Sequence, residues 1–104
     1  MPHFVYTLQL IDTDVAQDLS RMSPEHQAIV SEHFTYLQQL CEQKTLLMAG
    51  RTENPATGFG ICLFKAADET TAQNLMSNDP AVAKGVMRAI LHPFRLALFQ
   101  TQID

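Results

Sequence analysis

Basic residues are scarce in this chain of 104 residues, which has seven lysines and arginines against eleven acidic residues and a net charge of −4. The seven are scattered from Arg21 to Arg95. Nucleic-acid binding requires clustered lysine and arginine that neutralise several phosphates, so the charge pattern predicts no nucleic-acid partner. The same shortage predicts no binding to an anionic membrane surface.

Long apolar runs are missing too, since none approaches the roughly 20 residues that span a bilayer. The first ten residues alternate in polarity and lack the basic-then-apolar order of a signal peptide. Cysteine is limited to Cys41 and Cys62, which do not have the CxxC spacing of redox and zinc motifs. Both lie in apolar segments, so we expect two buried, reduced thiols in a cytoplasmic protein.

Motifs for metal ions, phosphate groups and nucleophilic catalysis are also absent. The chain has no HExxH, no cysteine pair, no clustered carboxylates, no Gly-rich phosphate loop and no serine or cysteine nucleophile motif. His26 and His33 stand about 10 Å apart along a predicted helix, too far to bind one zinc ion together. We therefore expect no metal site and no organic cofactor.

Apolar residues, by contrast, are plentiful, since 46% of the chain is hydrophobic and 17% is charged. This balance is typical of a globular protein. A domain of this length buries about 60–70% of the surface that its unfolded chain exposes. We expect a single domain over residues 1–104, with a core that needs no disulfide.

The spacing of apolar residues predicts the order β-α-β-β-α-β. Ser23 and Pro24 are typical of the N-cap and first position of a helix, which follows a predicted loop over 12–22. This helix runs to about Gln43 with Val30, Phe34, Leu37, Leu40 and Cys41 on its apolar face. The other predicted elements are strands over 3–10, 45–50 and 59–64, a helix from Asp68 to about Ser77, a helical turn from Asp79-Pro80 to Gly85, and a strand within 87–99 with a bulge or edge position at Pro93.

This order is that of the ferredoxin-like fold, an α+β arrangement with a four-stranded antiparallel sheet and both helices on one face. The predicted strands 59–64 and 87–99 are apolar on both faces, so the side away from the helices would expose a large apolar patch. A second copy of the sheet, related by a two-fold axis, would cover that patch. We therefore expect a homodimer with a cavity between the two sheets.

Four segments resemble the YCII-related domain family in content, order and spacing: EHFTYLQQL (32–40), LLMAG (46–50), SNDPAVAKGV (77–86) and LHPFRLALF (91–99). The resemblance implies a dimeric α+β barrel of ferredoxin-like subunits. It also implies that a histidine of the first helix and an aspartate of the D-P motif act together in a pocket. In this chain they are His33 and Asp79. Some members of the family look like enzymes that act on small hydroxylated or chlorinated ring compounds.

His33 lies on the apolar face of the predicted helix, where a buried imidazole needs a hydrogen-bond partner. A carboxylate partner would suit a general acid or base, whereas a backbone carbonyl would make His33 an ordinary core histidine. Asp79 has a similar alternative, because an aspartate before a proline often serves only as a helix N-cap.

Three further residues are candidates for binding a substrate. Members of the family often have proline after the second strand, where this chain has Arg51, and a cation there would favour anionic ligands. His92 on the last strand could line the same cavity as His33 or have only a structural role, and Arg95 could bind a carboxylate or phenolate.

Two functions follow, from different classes. The first is a lyase or isomerase that acts on a small cyclic, aromatic or anionic compound, with proton transfer by His33 and Asp79. The second is a non-catalytic dimeric barrel that binds a small ligand or a partner protein, in which both residues are structural. The architecture also permits a monooxygenase, without support from particular residues.

Overall fold

The structure, a computed structural model, describes residues 1–54 and 57–102. Within these residues the chain forms four strands, four α-helices and one 3₁₀-helix. In chain order they are β1 (His3–Leu10), α1 (Thr13–Gln17), the 3₁₀-helix (Leu19–Arg21), α2 (Pro24–Glu42), β2 (Leu46–Arg51), β3 (Gly60–Lys65), α3 (Glu69–Ser77), α4 (Pro80–Ala83) and β4 (Met87–Phe94).

The four strands form one antiparallel sheet in the order β2-β3-β1-β4. The two strands that are far apart in sequence, β1 and β3, are therefore neighbours at its centre, as the ferredoxin-like prediction requires. β4 lies at one edge, which explains how it accommodates Pro93 without losing a hydrogen bond to a second neighbour. The predicted α+β fold is confirmed.

The main helices begin where the sequence predicts. The side chain of Ser23 accepts a hydrogen bond from the backbone N–H of His26 at the start of α2. Asp68 accepts one from the N–H of Thr71 at the start of α3. These oxygens satisfy N–H groups that have no partner within the helix, so each cap defines a boundary.

One face of the sheet packs against the helices, and we call it the covered face. Its buried strand residues are Phe4, Tyr6, Leu8, Cys62 and Phe64, and they contact buried helix residues that include Leu37, Ala72 and Met76. The Tyr6 ring meets the Phe64 ring edge-on, with centroids 5.7 Å apart. Burial of these aromatic side chains supplies much of the stability of the core.

The alternate strand residues form the opposite, uncovered face. On this face Val5 pairs with His92, and Thr7 pairs with Ile61 and Ile90. Its exposed large apolar side chains are Met48, Ile90 and Phe94, and Ile90 is 51% exposed. Leu63, on the central strand β3 of this face, is buried, so the exposed apolar side chains lie on the two edge strands, β2 and β4.

Residues 12–22 were predicted to be a loop, and that prediction is wrong. Asp12 caps α1 by accepting hydrogen bonds from the N–H groups of Asp14 and Val15. Asp18 caps the following 3₁₀-helix in the same way through Ser20. Two side-chain caps and one buried apolar residue, Val15, are enough to order this polar stretch into short helical turns.

The prediction that Cys41 is buried is also wrong, because the structure leaves it exposed, whereas Cys62 is buried as expected. Phe34, placed on the same apolar face of α2, is 60% exposed. The buried side of α2 follows Ile29 and Leu37 instead. At about 100° per residue, Cys41 and Phe34 lie about 40° and 60° from Leu37, on the side away from Ile29, so both stand at the border of the buried side.

None of the helices described, over 1–54 and 57–102, is both long enough and apolar enough to cross a membrane.

Candidate functional site

Asp79 is the N-cap of α4, and its carboxylate is completely buried. Its Oδ1 accepts a hydrogen bond of 3.0 Å from the backbone N–H of Ala81. Pro80 occupies the first position of this short helix, where the missing N–H costs nothing. The predicted capping role is thus present, and it leaves further lone pairs of the carboxylate for other donors.

His33 brings its imidazole to this carboxylate from α2. The Nδ1 atom lies 2.7 Å from Oδ1 and 2.8 Å from Oδ2 of Asp79. A carboxylate can only accept hydrogen bonds, so Nδ1 carries the proton and donates. The His33 side chain is 12% exposed, compared with 0% for Asp79. The ring therefore connects a buried acid with a more accessible space.

A third group at this site was missed from the sequence. The hydroxyl of Tyr6 on β1 donates a buried hydrogen bond of 2.8 Å to Oδ2 of Asp79. Tyr6 is the polar member of an otherwise apolar face of β1, and a buried tyrosine hydroxyl needs an acceptor. That isolated hydroxyl was the available signal, although it did not identify the acceptor.

Burial and the charge of Asp79 keep the neighbouring acidic groups neutral. Burial, reinforced by Cys62 and Asp79, raises the pKa of Tyr6 far above its usual value of 10.0. Burial first, and Asp79 second, raise the pKa of Tyr36 to about 12. Burial is also the main reason that the pKa of the Cys62 thiol is raised to about 12. None of these three groups can exchange a proton readily at neutral pH, whereas imidazole is suited to it.

The accessible side of His33 faces an open cavity of about 1050 Å³. Its walls come from α2, from the segment with α1 and the 3₁₀-helix, and from β1, β2 and β3 and the residues that follow β2. Within the described residues, all hydrogen bonds of the imidazole run through Nδ1, and no buried side-chain nitrogen or oxygen lacks a partner. The Nε2 atom is therefore accessible from this cavity.

The other candidate residues are divided between two regions. Arg51, at the end of β2, lines the same cavity as His33. His92 is exposed on the uncovered face, and Arg95 is exposed just after β4. Neither residue is among those that line this cavity in the described part of the chain. The alternation of β4 is the reason, because it turns Leu91 toward the core and His92 away from it.

The sequence also matches a family model over nearly its whole length. The model of the YCII-related domain covers residues 6–95. The chain belongs to the YCII-related domain family. No curated protein matches it.

A solved structure supports the fold of this YCII-related protein. It is that of the 5-chloro-2-hydroxyhydroquinone dehydrochlorinase of Burkholderia phenoliruptrix, in complex with 2,5-dihydroxybenzoquinone. The two chains superpose with a TM-score of 0.60 at 15% sequence identity, over 91% of this chain and 95% of the dehydrochlorinase. At this identity the likeness establishes the architecture that the two proteins share.

Proposed function

We propose that this YCII-related protein is a cofactor-independent enzyme of the lyase or isomerase type, acting on a small cyclic, anionic compound. The observation that carries the proposal is the contact of 2.7 Å between His33 and the fully buried Asp79, with the other side of the imidazole facing a cavity. A histidine oriented by a buried carboxylate and open to a pocket is suited to general acid and base catalysis.

In this mechanism His33 is the proton carrier. Asp79 holds the proton on Nδ1, which leaves the lone pair of Nε2 directed to a bound compound. When Nε2 takes a proton from the substrate, the neighbouring carboxylate stabilises the imidazolium that forms. The proton returns to another atom of the substrate in an isomerisation, or the electron pair left on the substrate expels a leaving group in an elimination.

The cavity supports a ring compound with negative charge. The exposed side chains of Phe34 and Phe59 line it and can pack against a planar ring. Arg51 brings a guanidinium that can bind a carboxylate or phenolate. Two acids, Asp18 and Glu53, also line the cavity. The carboxylate of Asp18 already accepts hydrogen bonds from the backbone N–H and the hydroxyl of Ser20. The structurally similar dehydrochlorinase holds a hydroxylated quinone, a ligand of this class.

The test is a panel of chlorinated and unchlorinated hydroxyhydroquinones, hydroxylated benzoquinones and small cyclic acids, followed by absorbance and NMR. We expect the parent protein to convert an anionic ring compound, and Arg51→Gln to raise its KM. Lys44→Gln, which removes an exposed charge outside the cavity and outside the uncovered face, is the matched control. If no compound is converted, or if both variants behave alike, the proposed substrate class is wrong.

We also propose that the protein is a homodimer with the uncovered faces of two subunits packed together. The support is the exposure of Ile90, Met48 and Phe94 on this face, which is unusual for a sheet surrounded by water. A two-fold axis lets one apolar surface cover another copy of itself.

A second candidate function is a non-catalytic barrel that binds a small ligand or a partner protein. It is favoured by the structural role of Asp79, which caps α4 and also accepts a hydrogen bond from Tyr6 inside the core. Binding of a panel compound without turnover, unaffected by replacement of His33, would support this alternative.

A further inference from the structure

We propose that Tyr6 is a positioning residue, whose hydroxyl holds the carboxylate of Asp79 in the orientation that His33 requires. The inference rests on the proposed function in one respect, namely that His33 carries the proton. Tyr6 itself does not reach the cavity, because it is fully buried and does not line it.

Hydrogen bonds hold both carboxylate oxygens of Asp79. Besides Nδ1 of His33, each of its two oxygens receives one donor from a different element, Ala81 N–H of α4 at Oδ1 and Tyr6 O–H of β1 at Oδ2. A carboxylate with a single donor can rotate about its Cβ–Cγ bond, whereas donors on both oxygens oppose that rotation. Nδ1 of His33 then lies almost equally far from the two oxygens, at 2.7 and 2.8 Å.

The surroundings of Tyr6 hold its side chain rigidly. It lies on β1, which is paired on both sides, with Cys62 of β3 and Leu91 of β4 opposite it. Its ring packs edge-on against Phe64, and none of its surface is exposed. A donor on a central strand moves less than one on a loop, so the hydroxyl is a fixed reference for the carboxylate.

Tyr6 acts as a hydrogen-bond donor and does not supply the proton that reacts. Burial and the nearby carboxylate raise the pKa of its phenol far above the usual 10.0, so it remains protonated throughout the range in which imidazole changes charge. A hydrogen bond to the charged form of an acid stabilises that form. Tyr6 therefore reduces the negative charge that Asp79 presents to the imidazole.

Other titratable groups around the pair are engaged elsewhere or lie across the cavity. Tyr36 on α2 donates to the carbonyl of Leu75 at 2.7 Å. Lys84 after α4 is paired with Glu32 at 2.9 Å. Cys62 on β3 lies next to Tyr6, and burial raises the pKa of its thiol to about 12, so it stays neutral. The remaining groups, Arg51, Asp18 and Glu53, line the cavity. Within the described residues, Tyr6 is the only side chain besides His33 that donates to Asp79.

The test is an NMR titration of the His33 ring in the parent, Y6F and Y36F proteins, with the resonance assigned by its loss in H33Q. Without the Tyr6 hydroxyl, Asp79 presents more charge and favours the imidazolium, so we expect the titration midpoint of His33 in Y6F to move to higher pH. Y36F removes the same atom from the other tyrosine and should leave the midpoint in place. An unchanged midpoint in Y6F, or an equal shift in Y36F, would overturn the inference.

Two further measurements distinguish a direct effect of the Tyr6 hydroxyl from poor folding of Y6F. The shift caused by Y6F should vanish in a D79N background, because Tyr6 acts through the carboxylate. Growth of Y36F on 3-fluorotyrosine places a more acidic phenol at residue 6 alone, since the chain has two tyrosines. This stronger donor should move the midpoint of His33 to lower pH, and a shift upward or none would contradict the role of Tyr6.

Activity on a converted panel compound is the separate readout. We expect Y6F to lower kcat by roughly ten- to a hundredfold with KM unchanged, because a displaced catalytic group slows the chemical step without weakening binding. The NMR shift needs no substrate, so a failure of the proposed reaction and a failure of this inference can be told apart.

Discussion

The two faces of the sheet differ in which side chains they bury and which they expose. The covered face buries a hydroxyl, a carboxylate and an imidazole among apolar side chains, and all are joined by hydrogen bonds. The uncovered face exposes large apolar residues such as Ile90 and Phe94 to water. Unpaired polar groups in a core are costly, as is a large apolar surface in water. The polar groups of the covered face are therefore satisfied within one chain, whereas the exposed apolar groups of the uncovered face are suited to a partner.

The largest expected effect is the loss of a core aromatic residue from the covered face. Phe64→Ala should lower the free energy of unfolding by about 3–5 kcal/mol, because Phe64 is fully buried between Phe4 and Tyr6. Leu98→Ala removes a side chain that is 93% exposed and should change it by about 0.5 kcal/mol or less. Urea denaturation of both variants measures the difference, and equal losses would contradict the assignment of the core.

A charge placed on the uncovered face should separate the subunits. The parent is expected to be a dimer whose interface exceeds the roughly 1,000 Å² of a biological contact. Ile90→Asp would bury an unpaired carboxylate there, so light scattering should give the mass of one chain while circular dichroism stays native. Gln38→Asp, on the exposed side of α2, should leave the dimer intact. A parent protein that scatters as a monomer would show the proposal to be wrong.

Alkaline pH should lower the free energy of unfolding. Burial raises the pKa of Cys62 from 9.0, and that of Tyr36 from 10.0, in each case to about 12. The folded chain therefore binds more protons than the unfolded chain between about pH 9 and 12. The free energy of unfolding must fall as the pH rises through that window, and the stability due to the neutral groups is complete below it. Denaturation from pH 8 to 11 checks the sign, and Cys62→Ala should make the slope shallower.

The smallest effect concerns the two thiols. Cys41 is exposed and Cys62 is buried, so a thiol reagent should label Cys41 rapidly and Cys62 only when the fold opens. The single variants Cys41→Ser and Cys62→Ala identify which thiol has reacted. Rapid reaction of both cysteines in the native protein would mean that the covered face is open.

Local signals predicted most of the architecture. Ser23 and Asp68 each supply a cap, and the strand patterns alternate over lengths that a two-residue period can identify. The exposure of Phe34 and Cys41 was not predictable in the same way. Whether a residue at the border of a helical stripe is buried depends on how the helix is rotated against the sheet, which is decided by tertiary packing.

The site was predicted only in part, and for a different reason. The pairing of His33 with Asp79 followed from the resemblance to a family, since nothing in their spacing along the chain brings them together. Tyr6 escaped prediction because its contact with Asp79 joins residues 73 positions apart. The positions of His92 and Arg51 relative to the cavity likewise depend on which face each strand residue occupies.

The most direct test of the central claim, that His33 is the proton carrier of an enzyme, is the rate at which H33Q converts a panel compound. We expect a loss of about a hundredfold or more, with a change of only about 1 kcal/mol in the free energy of unfolding. H26Q alters the same helix in a separate, smaller recess and should keep the parent rate. An H33Q protein that works at the parent rate, or one that loses most of its stability yet binds normally when folded, would contradict the claim.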